Sequence, residues 1–239
     1  MKITVLTLFK DMYEGFLNTS IIHRILEKHL AEIEIIDIRD YSFDKHRHVD
    51  DTPYGGGAGM LMKVDVVHHA IKENSSENTH IILTSPKSWP LKQEDLVRLS
   101  KEEEILIVCG HYEGIDHRIE KYINEKISIG DYILTGGELP SMVLIDGILR
   151  LLDEGISSDS LKEESFNSSL LEYPQYTRPV EYEGERVPDV LQNGNHSEIR
   201  RYNLKMALRE TLLYRPDLLE NRELNKEENE LLKEIKNEL

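Results

Sequence analysis

Nine of the chain's 14 glycines fall in two stretches: Gly55, Gly56, Gly57 and Gly59 in one, and Gly110, Gly114, Gly130, Gly136 and Gly137 in the other. Glycine lets a backbone approach a ligand with no side chain in the way, so both stretches read as ligand-facing loops. The run at residues 55–60 matches neither G-x-G-x-x-G nor G-x-x-x-x-G-K-[ST] and follows no apolar strand, which disfavours dinucleotide and P-loop chemistry. Basic and aromatic residues gather at Lys45-His46-Arg47-His48, at Tyr176 with Arg178, and at Arg200-Arg201-Tyr202. Such groups stack on exposed bases and grip phosphates. The histidine pairs His46/His48 and His68/His69 lack carboxylate partners and no H-E-x-x-H occurs, so no structural metal is expected. Cys109 stands alone, which rules out an internal disulfide and a cysteine-based zinc framework.

Loops of this kind need strands to hold them. Apolar runs at residues 3–9, 33–38, 80–84, 104–109 and 126–134 read as strands. Three-to-four spacing predicts helices at 17–30, 64–71, 92–100, 115–123 and 139–152. Strands alternating with helices imply an α/β fold with a parallel sheet, whose ligands sit at the carboxyl ends of the strands. Residues 155–165 are polar and Ser-rich, as in a linker. The expected division is residues 1–156, a flexible linker at 157–167, and a small, mostly helical domain at 168–239 with helices at 198–214 and 218–239. The chain has 239 residues, 29 Lys+Arg against 45 Asp+Glu and a net charge of −16. That acidity argues mildly against nucleic acid, but it is a whole-molecule sum, and a local basic footprint can survive inside it. The amino terminus reads as a strand rather than a leader, and no stretch reaches the ~18 apolar residues of a membrane span. A soluble, cytoplasmic protein with no membrane association is expected.

Several blocks carry a resemblance. Asp50-Asp51-Thr52-Pro53-Tyr54-Gly55-Gly56-Gly57-Ala58-Gly59-Met60 is similar to the D-D-x-P-Y-G-G-G-x-G-M motif of the bacterial tRNA (guanine-N1)-methyltransferase family. Cys109-Gly110-His111-Tyr112-Glu113-Gly114-Ile115-Asp116 and Ile129-Gly130-Asp131-Tyr132-Ile133-Leu134-Thr135-Gly136-Gly137-Glu138-Leu139-Pro140 match further motifs. Tyr176-Thr177-Arg178-Pro179 and Asn193-Gly194-Asn195-His196 extend the likeness to the carboxyl-terminal part. The resemblance implies a SPOUT-type α/β domain with a trefoil knot, a topology too rare for any general rule to propose. It implies S-adenosylmethionine, bent, in loops formed by Leu83, Thr84, Ser85 and Pro86, by Gly110, Tyr112 and Glu113, and by Ile129, Gly130, Asp131, Tyr132, Ile133, Leu134, Gly136, Gly137 and Pro140. It also implies a tRNA substrate, methylated at N1 of guanine 37 beside the anticodon, and a homodimer whose active sites are shared between chains. Asp50, Pro53, Gly55, Gly57, Arg178, Asn195, His196 and Arg200 are the expected RNA contacts.

Guanine N1 carries a proton, so methylation there needs a general base and a donor for the charge that grows on O6. The resemblance puts the catalytic arginine at Arg150. It puts the base at Glu164, immediately before Ser165-Phe166, where the family commonly has Asp. Glu adds a methylene, and Glu163 and Asp159 are neighbouring carboxylates able to take the role. Glu113 is expected near the sulfonium, holding the donor by charge, or else near a helix N-terminus where a carboxylate suits the dipole. Mg²⁺ dependence is implied, acting through RNA or an acidic group rather than a cage. Two other readings stay open: a SPOUT enzyme acting on another nucleotide, and a non-catalytic RNA-binding module.

Overall fold

The structure, a computed structural model, describes residues 1–152, 170–220 and 222–239. The chain forms two compact units, Met1–Ile156 and Ser157–Leu239. The linker expected at 157–167, with Glu164, lies outside the described residues.

The first unit is built on a 5-stranded sheet in the order β2-β1-β6-β5-β7. The strands are β1 (Lys2–Thr7), β2 (Glu32–Asp37), β5 (His80–Thr84), β6 (Glu104–Cys109) and β7 (Glu125–Ile127), and every neighbouring pair is parallel. The short β3 (Asp50–Asp51) and β4 (Leu61–Met62) pair antiparallel beside it. Strand alternation decides the two faces. Ile3, Ile105, Ile107 and Cys109 belong to one core, which also takes Ile22 and Ile25 of helix α2 (Ser20–Glu27) and Leu144, Ile145, Ile148 and Leu149 of α5 (Glu138–Leu149). Leu106 and Val108 point into the other core, with Val66, Val67, Ala70 and Ile71 of α3 (Val64–Glu73). Each fully buried aliphatic side chain contributes about 1.5–3 kcal/mol, and β6, buried on both faces, is the spine of the unit. Because the strands run parallel, Thr7, Thr84, Cys109 and Ile127 all end at one edge.

Three expected elements of this unit differ. The helix anticipated at 115–123 is a short 3₁₀ segment, His117–Tyr122. Its start is pinned by Asp116, whose backbone N–H donates to Met62 O at 3.0 Å and whose carboxylate accepts from Arg118 N at 2.9 Å. Its end is pinned by Asn124, whose N–H donates to Ile81 O at 2.8 Å. Only Ile119 in the segment is buried, so no apolar face packs a longer helix against the core. The strand expected at 126–134 stops at Ile127, because Gly130 takes φ +148° and Ser128 Oγ closes a tight loop on it. The helix expected at 17–30 is split into α1 (Glu14–Leu17) and α2, with Asn18 and Thr19 turning their side chains back to Glu14 O and Gly15 O.

The second unit is a helical pair with a hairpin. Helix α6 (His196–Tyr214) starts at Asn195, whose carboxamide oxygen accepts from Ser197 N and Glu198 N. Helix α8 (Lys226–Glu238) starts with a capping box between Asn225 and Glu228. Between them lies α7 (Pro216–Glu220). Leu170, Ala207, Leu208, Leu231, Leu232 and Ile235 form the core. Strands β8 (Glu181–Tyr182) and β9 (Glu185–Arg186) are joined through Glu183 and Gly184, both at positive φ, the geometry that a two-residue hairpin requires.

Candidate active site

The loops that leave β5, β6 and β7 are drawn together by backbone hydrogen bonds. Ser85 N donates to Ile127 O at 2.9 Å and Leu91 N to Ser128 O at 2.8 Å, tying the turn after β5 to the end of β7. Gly137 N donates to Gly110 O at 2.8 Å, and His111 pairs with Gly136 in an isolated antiparallel bridge. The chain after β7 therefore returns to the tip of β6 before α5 begins. Gly137 is where this approach is closest: a Cβ there would overlap Thr84 Oγ1 and stand 2.7 Å from Cys109 Cα and 2.9 Å from Gly110 N. The cofactor residues expected from the sequence in these three loops are thus one contiguous group.

The other glycine run joins the same edge. Glu113 N donates to Met60 O at 3.0 Å, Met62 N donates to Gly114 O at 2.9 Å, and the Glu113 carboxylate lies against the bare Cα of Gly59. Tyr112 sits at φ +56°, a backbone strain that turns its ring to solvent beside Glu113. Tyr132 folds over Gly130, while Ile133 beside it is 81% exposed. Exposed apolar side chains at strand ends are surface waiting for a ligand or another chain.

Beneath the loops runs a buried polar network that sequence reading does not single out. Thr7 Oγ1 donates to Glu138 Oε1 at 2.8 Å, and Glu138 is almost wholly enclosed at the start of α5. Tyr13 OH lies 2.6 Å from Ser141 Oγ and 3.4 Å from Cys109 Sγ. Burial pushes the Cys109 thiol up to about 12, against hydrogen bonds to Tyr13 and Ser141 that lower it, so it is neutral and serves packing. Burial likewise pushes the Tyr13 phenol far above its ordinary range. Nothing in the local pattern marks Tyr13, because its partners are more than ninety residues away. The buried Nδ1 of His111 has no hydrogen-bond partner and sits under the loop at Gly136.

Arg150 caps the far end of α5, its N–H donating to Asp146 O at 3.1 Å. The expected RNA contacts are dispersed. Asp50 is in β3, and Pro53, Gly55 and Gly57 occupy the loop to β4. Arg178 is exposed, His196 opens α6, Asn195 spends its carboxamide on capping, and Arg200 is ion-paired to Glu227 at 2.8 Å. In the cluster at 45–48, Arg47 pairs with Asp40 and His48 with Asp44. Among the described residues no three His, Cys, Asp or Glu side chains converge on a point that would cage a metal.

A parallel sheet with glycine-permitted loops closing one site at its carboxyl edge defines an α/β enzyme that holds a small ligand against backbone groups. The comparisons with known proteins carry this further. A family model described as tRNA (Guanine-1)-methyltransferase TrmD matches residues 1–221. A tRNA (guanine-N(1)-)-methyltransferase of Dictyoglomus turgidum is 47% identical over 240 residues, covering 100% of this chain and 98% of its own. Its namesake in Syntrophomonas wolfei is 52% identical over 237 residues, covering 98% of this chain and 97% of its own. That of Fusobacterium nucleatum is 49% identical over 239 residues, covering 100% and 99%. The chain belongs to the tRNA (guanine-1)-methyltransferase TrmD family.

Proposed function

We propose that the chain transfers the methyl group of S-adenosylmethionine to N1 of guanine 37 in tRNA. The observation that carries this reading is the hydrogen-bonded closure of the three loops around Thr84, Gly110 and Gly137, beside the Glu113 carboxylate. The residues suit the donor: loop amides and carbonyls to read a purine and ribose, exposed apolar side chains at Tyr132, Ile133 and Leu134, and a carboxylate for a cation. When bound, S-adenosylmethionine supplies an electrophilic methyl on a positively charged sulfur.

The chain's own groups then divide the work. Glu164 takes the proton from guanine N1, which frees that lone pair to attack the methyl carbon as the carbon–sulfur bond breaks. Arg150 donates to O6, where negative charge grows as the proton leaves. Glu113 holds the sulfonium by charge until the methyl departs.

Arg150 follows Gly137 by the whole length of α5, about 18 Å at 1.5 Å per residue, beyond the reach of its own side chain toward the loops of the same chain. This supports a homodimer in which Arg150 of one chain serves the loops of the other. The stripe of exposed Leu139 and Val143 on α5, with Met12 and Phe9 also exposed, supports an apolar interface. The trefoil knot is assigned to the passage of the chain after β7 back to the β6 tip. Residues 168–239 are assigned to tRNA binding, and the segment at 157–167 carries Glu164, the assigned base. A tRNA substrate puts the enzyme in the cytoplasm. No protein cage for Mg²⁺ is present among the described residues, so any metal effect is assigned to RNA and no step is routed through it.

The test is methylation of tRNA transcripts with methyl-labelled donor, followed by nuclease digestion. Label in N1-methylguanosine from position 37, lost when that guanine is replaced by adenine, is the expected result. Label at another nucleotide overturns the reading.

A further inference from the structure

The basic face of α6 is largely neutralised within its own unit. Arg200 pairs with Glu227 at 2.8 Å, Arg201 with Glu234 at 2.8 Å and Lys205 with Glu238 at 2.6 Å, all across to α8. Arg178 and Arg209 stand apart, with no acidic partner among the described residues. In a chain with 45 acids against 29 bases, guanidinium groups left without a carboxylate run against the overall balance.

Arg178 lines a 540 Å³ cleft with Tyr176, Thr177, Leu191 and Gln192. That volume lies in the range of small-ligand sites, ~300–1,000 Å³. Tyr176 keeps 49% of its surface open. Tyr176 neighbours Tyr202 of α6, on which Arg209 acts by charge from outside the cleft lining. The Gln192 amide nitrogen donates to Val187 O at 2.8 Å, which fixes the side chain and leaves its carbonyl oxygen as an open acceptor. One aromatic face, one fixed acceptor, one unpaired cation in the cleft and a second on the neighbouring helix make a combination that suits a single nucleotide better than a peptide or a sugar.

We infer that this cleft is a second base-binding site on the tRNA, holding one unstacked nucleotide other than the methylated guanine. Its base stacks on Tyr176 and donates to Gln192, and Arg178 and Arg209 hold the phosphates on either side. Arg215, by contrast, contributes little to RNA affinity because Asp217, 2.7 Å away, already compensates its charge. The inference rests on tRNA being the substrate, which methyl transfer by the unaltered enzyme establishes separately in the same assays.

The experiment measures binding of an unmodified tRNA transcript to the full chain over a range of salt, together with KM for tRNA and for the methyl donor. Arg178→Gln and Arg209→Gln are each expected to weaken tRNA binding about ten-fold and to lower the slope of log affinity against log salt by about 0.7–0.9. Tyr176→Ala is expected to raise KM for tRNA about ten-fold, as loss of one stacked base does. Tyr176→Phe keeps the ring and is expected to recover most of that loss, although it removes the hydroxyl beside Tyr202. Arg215→Gln should stay within about two-fold of the unaltered enzyme, and KM for the donor should be unchanged throughout. The inference is overturned if Arg178→Gln and Arg209→Gln leave affinity and salt slope as they were. It is equally overturned if Tyr176→Phe is as damaging as Tyr176→Ala, since Tyr176 would then be a structural prop, or if Arg215→Gln is as damaging as Arg178→Gln.

Discussion

The proposed roles give two side chains opposite halves of one proton transfer, so that their removal is expected to separate them kinetically. If Glu164 is the acceptor of the N1 proton, Glu164→Ala is expected to cut kcat by about 10²–10⁴ while donor affinity stays within about two-fold. Without Arg150 the charge on O6 loses a donor made for it, and Arg150→Ala is expected to lower kcat by about 10²–10³. Single-turnover methyl transfer with equilibrium donor binding measures both, and near-full activity in Glu164→Ala transfers the base role to Glu163 or Asp159. Gly137 is a different kind of residue, important for what it lacks. A Cβ there meets backbone at Cys109 and Gly110, which cannot yield as a flexible side chain would. Gly137→Ala is expected to cost about 1–3 kcal/mol of stability and to weaken donor binding more than ten-fold, read by thermal unfolding and calorimetry.

The elements that hold these residues show where local pattern is a sufficient guide. Strands β1, β5 and β6 and helices α3, α4 (Gln93–Leu99) and α5 fall where apolar periodicity expects them, because their apolar residues pack into one or other of the two cores. Periodicity misleads at 115–123 and 126–134, where apolar residues serve tight loops and an exposed surface rather than a core. The glycine clusters were legible from residue type, and the motifs of the candidate site through the family resemblance. The props beneath them, Thr7, Tyr13, Glu138 and Ser141, were not, since their meeting depends on sheet order. The helical pair of the second unit offers a pH test at this scale. Burial raises the Glu228 carboxyl, but the ion pair to Arg222 at 2.7 Å and the N–H of Asn225 outweigh it, and the net shift is downward. A carboxyl lowered by folding stabilises the fold above its unfolded pKa and loses that contribution as pH falls through the folded value. Glu228→Gln is therefore expected to destabilise by about 1–3 kcal/mol at pH 7, and the gap should narrow below pH ~4.5. Thermal melts of both proteins from pH 7 to pH 3.5 check it, and a gap that does not change with pH contradicts the assignment.

At the scale of the whole molecule, the proposed sharing of a site between two chains turns on the length of α5. Its amino end lies at the candidate donor loops and its carboxyl end carries Arg150, so the helix is about 18 Å long between the two parts of the proposed site. Bending a helix so well packed against the sheet would open the core around Ile145 and Ile148. A second copy removes the conflict if its α5 is brought across the first chain's loops. Two variants impaired in different parts then make a decisive mixture when assayed at a donor concentration too low to fill the spoiled loops. In Arg150→Ala the loops are intact and the arginine is missing; in Gly137→Ala the arginine is intact and the loops are spoiled. A dimer formed from one chain of each contains one site with both defects and one with neither. Random reassociation of equal amounts gives half of the dimers this mixed composition, so about a quarter of the unaltered activity per chain should return on mixing and unfolding–refolding together. Mass spectrometry of the intact assembly verifies that mixed dimers have formed. Activity that stays at the level of the separate variants in their presence would mean that each chain supplies its own arginine, and that α5 does not set the architecture of the site.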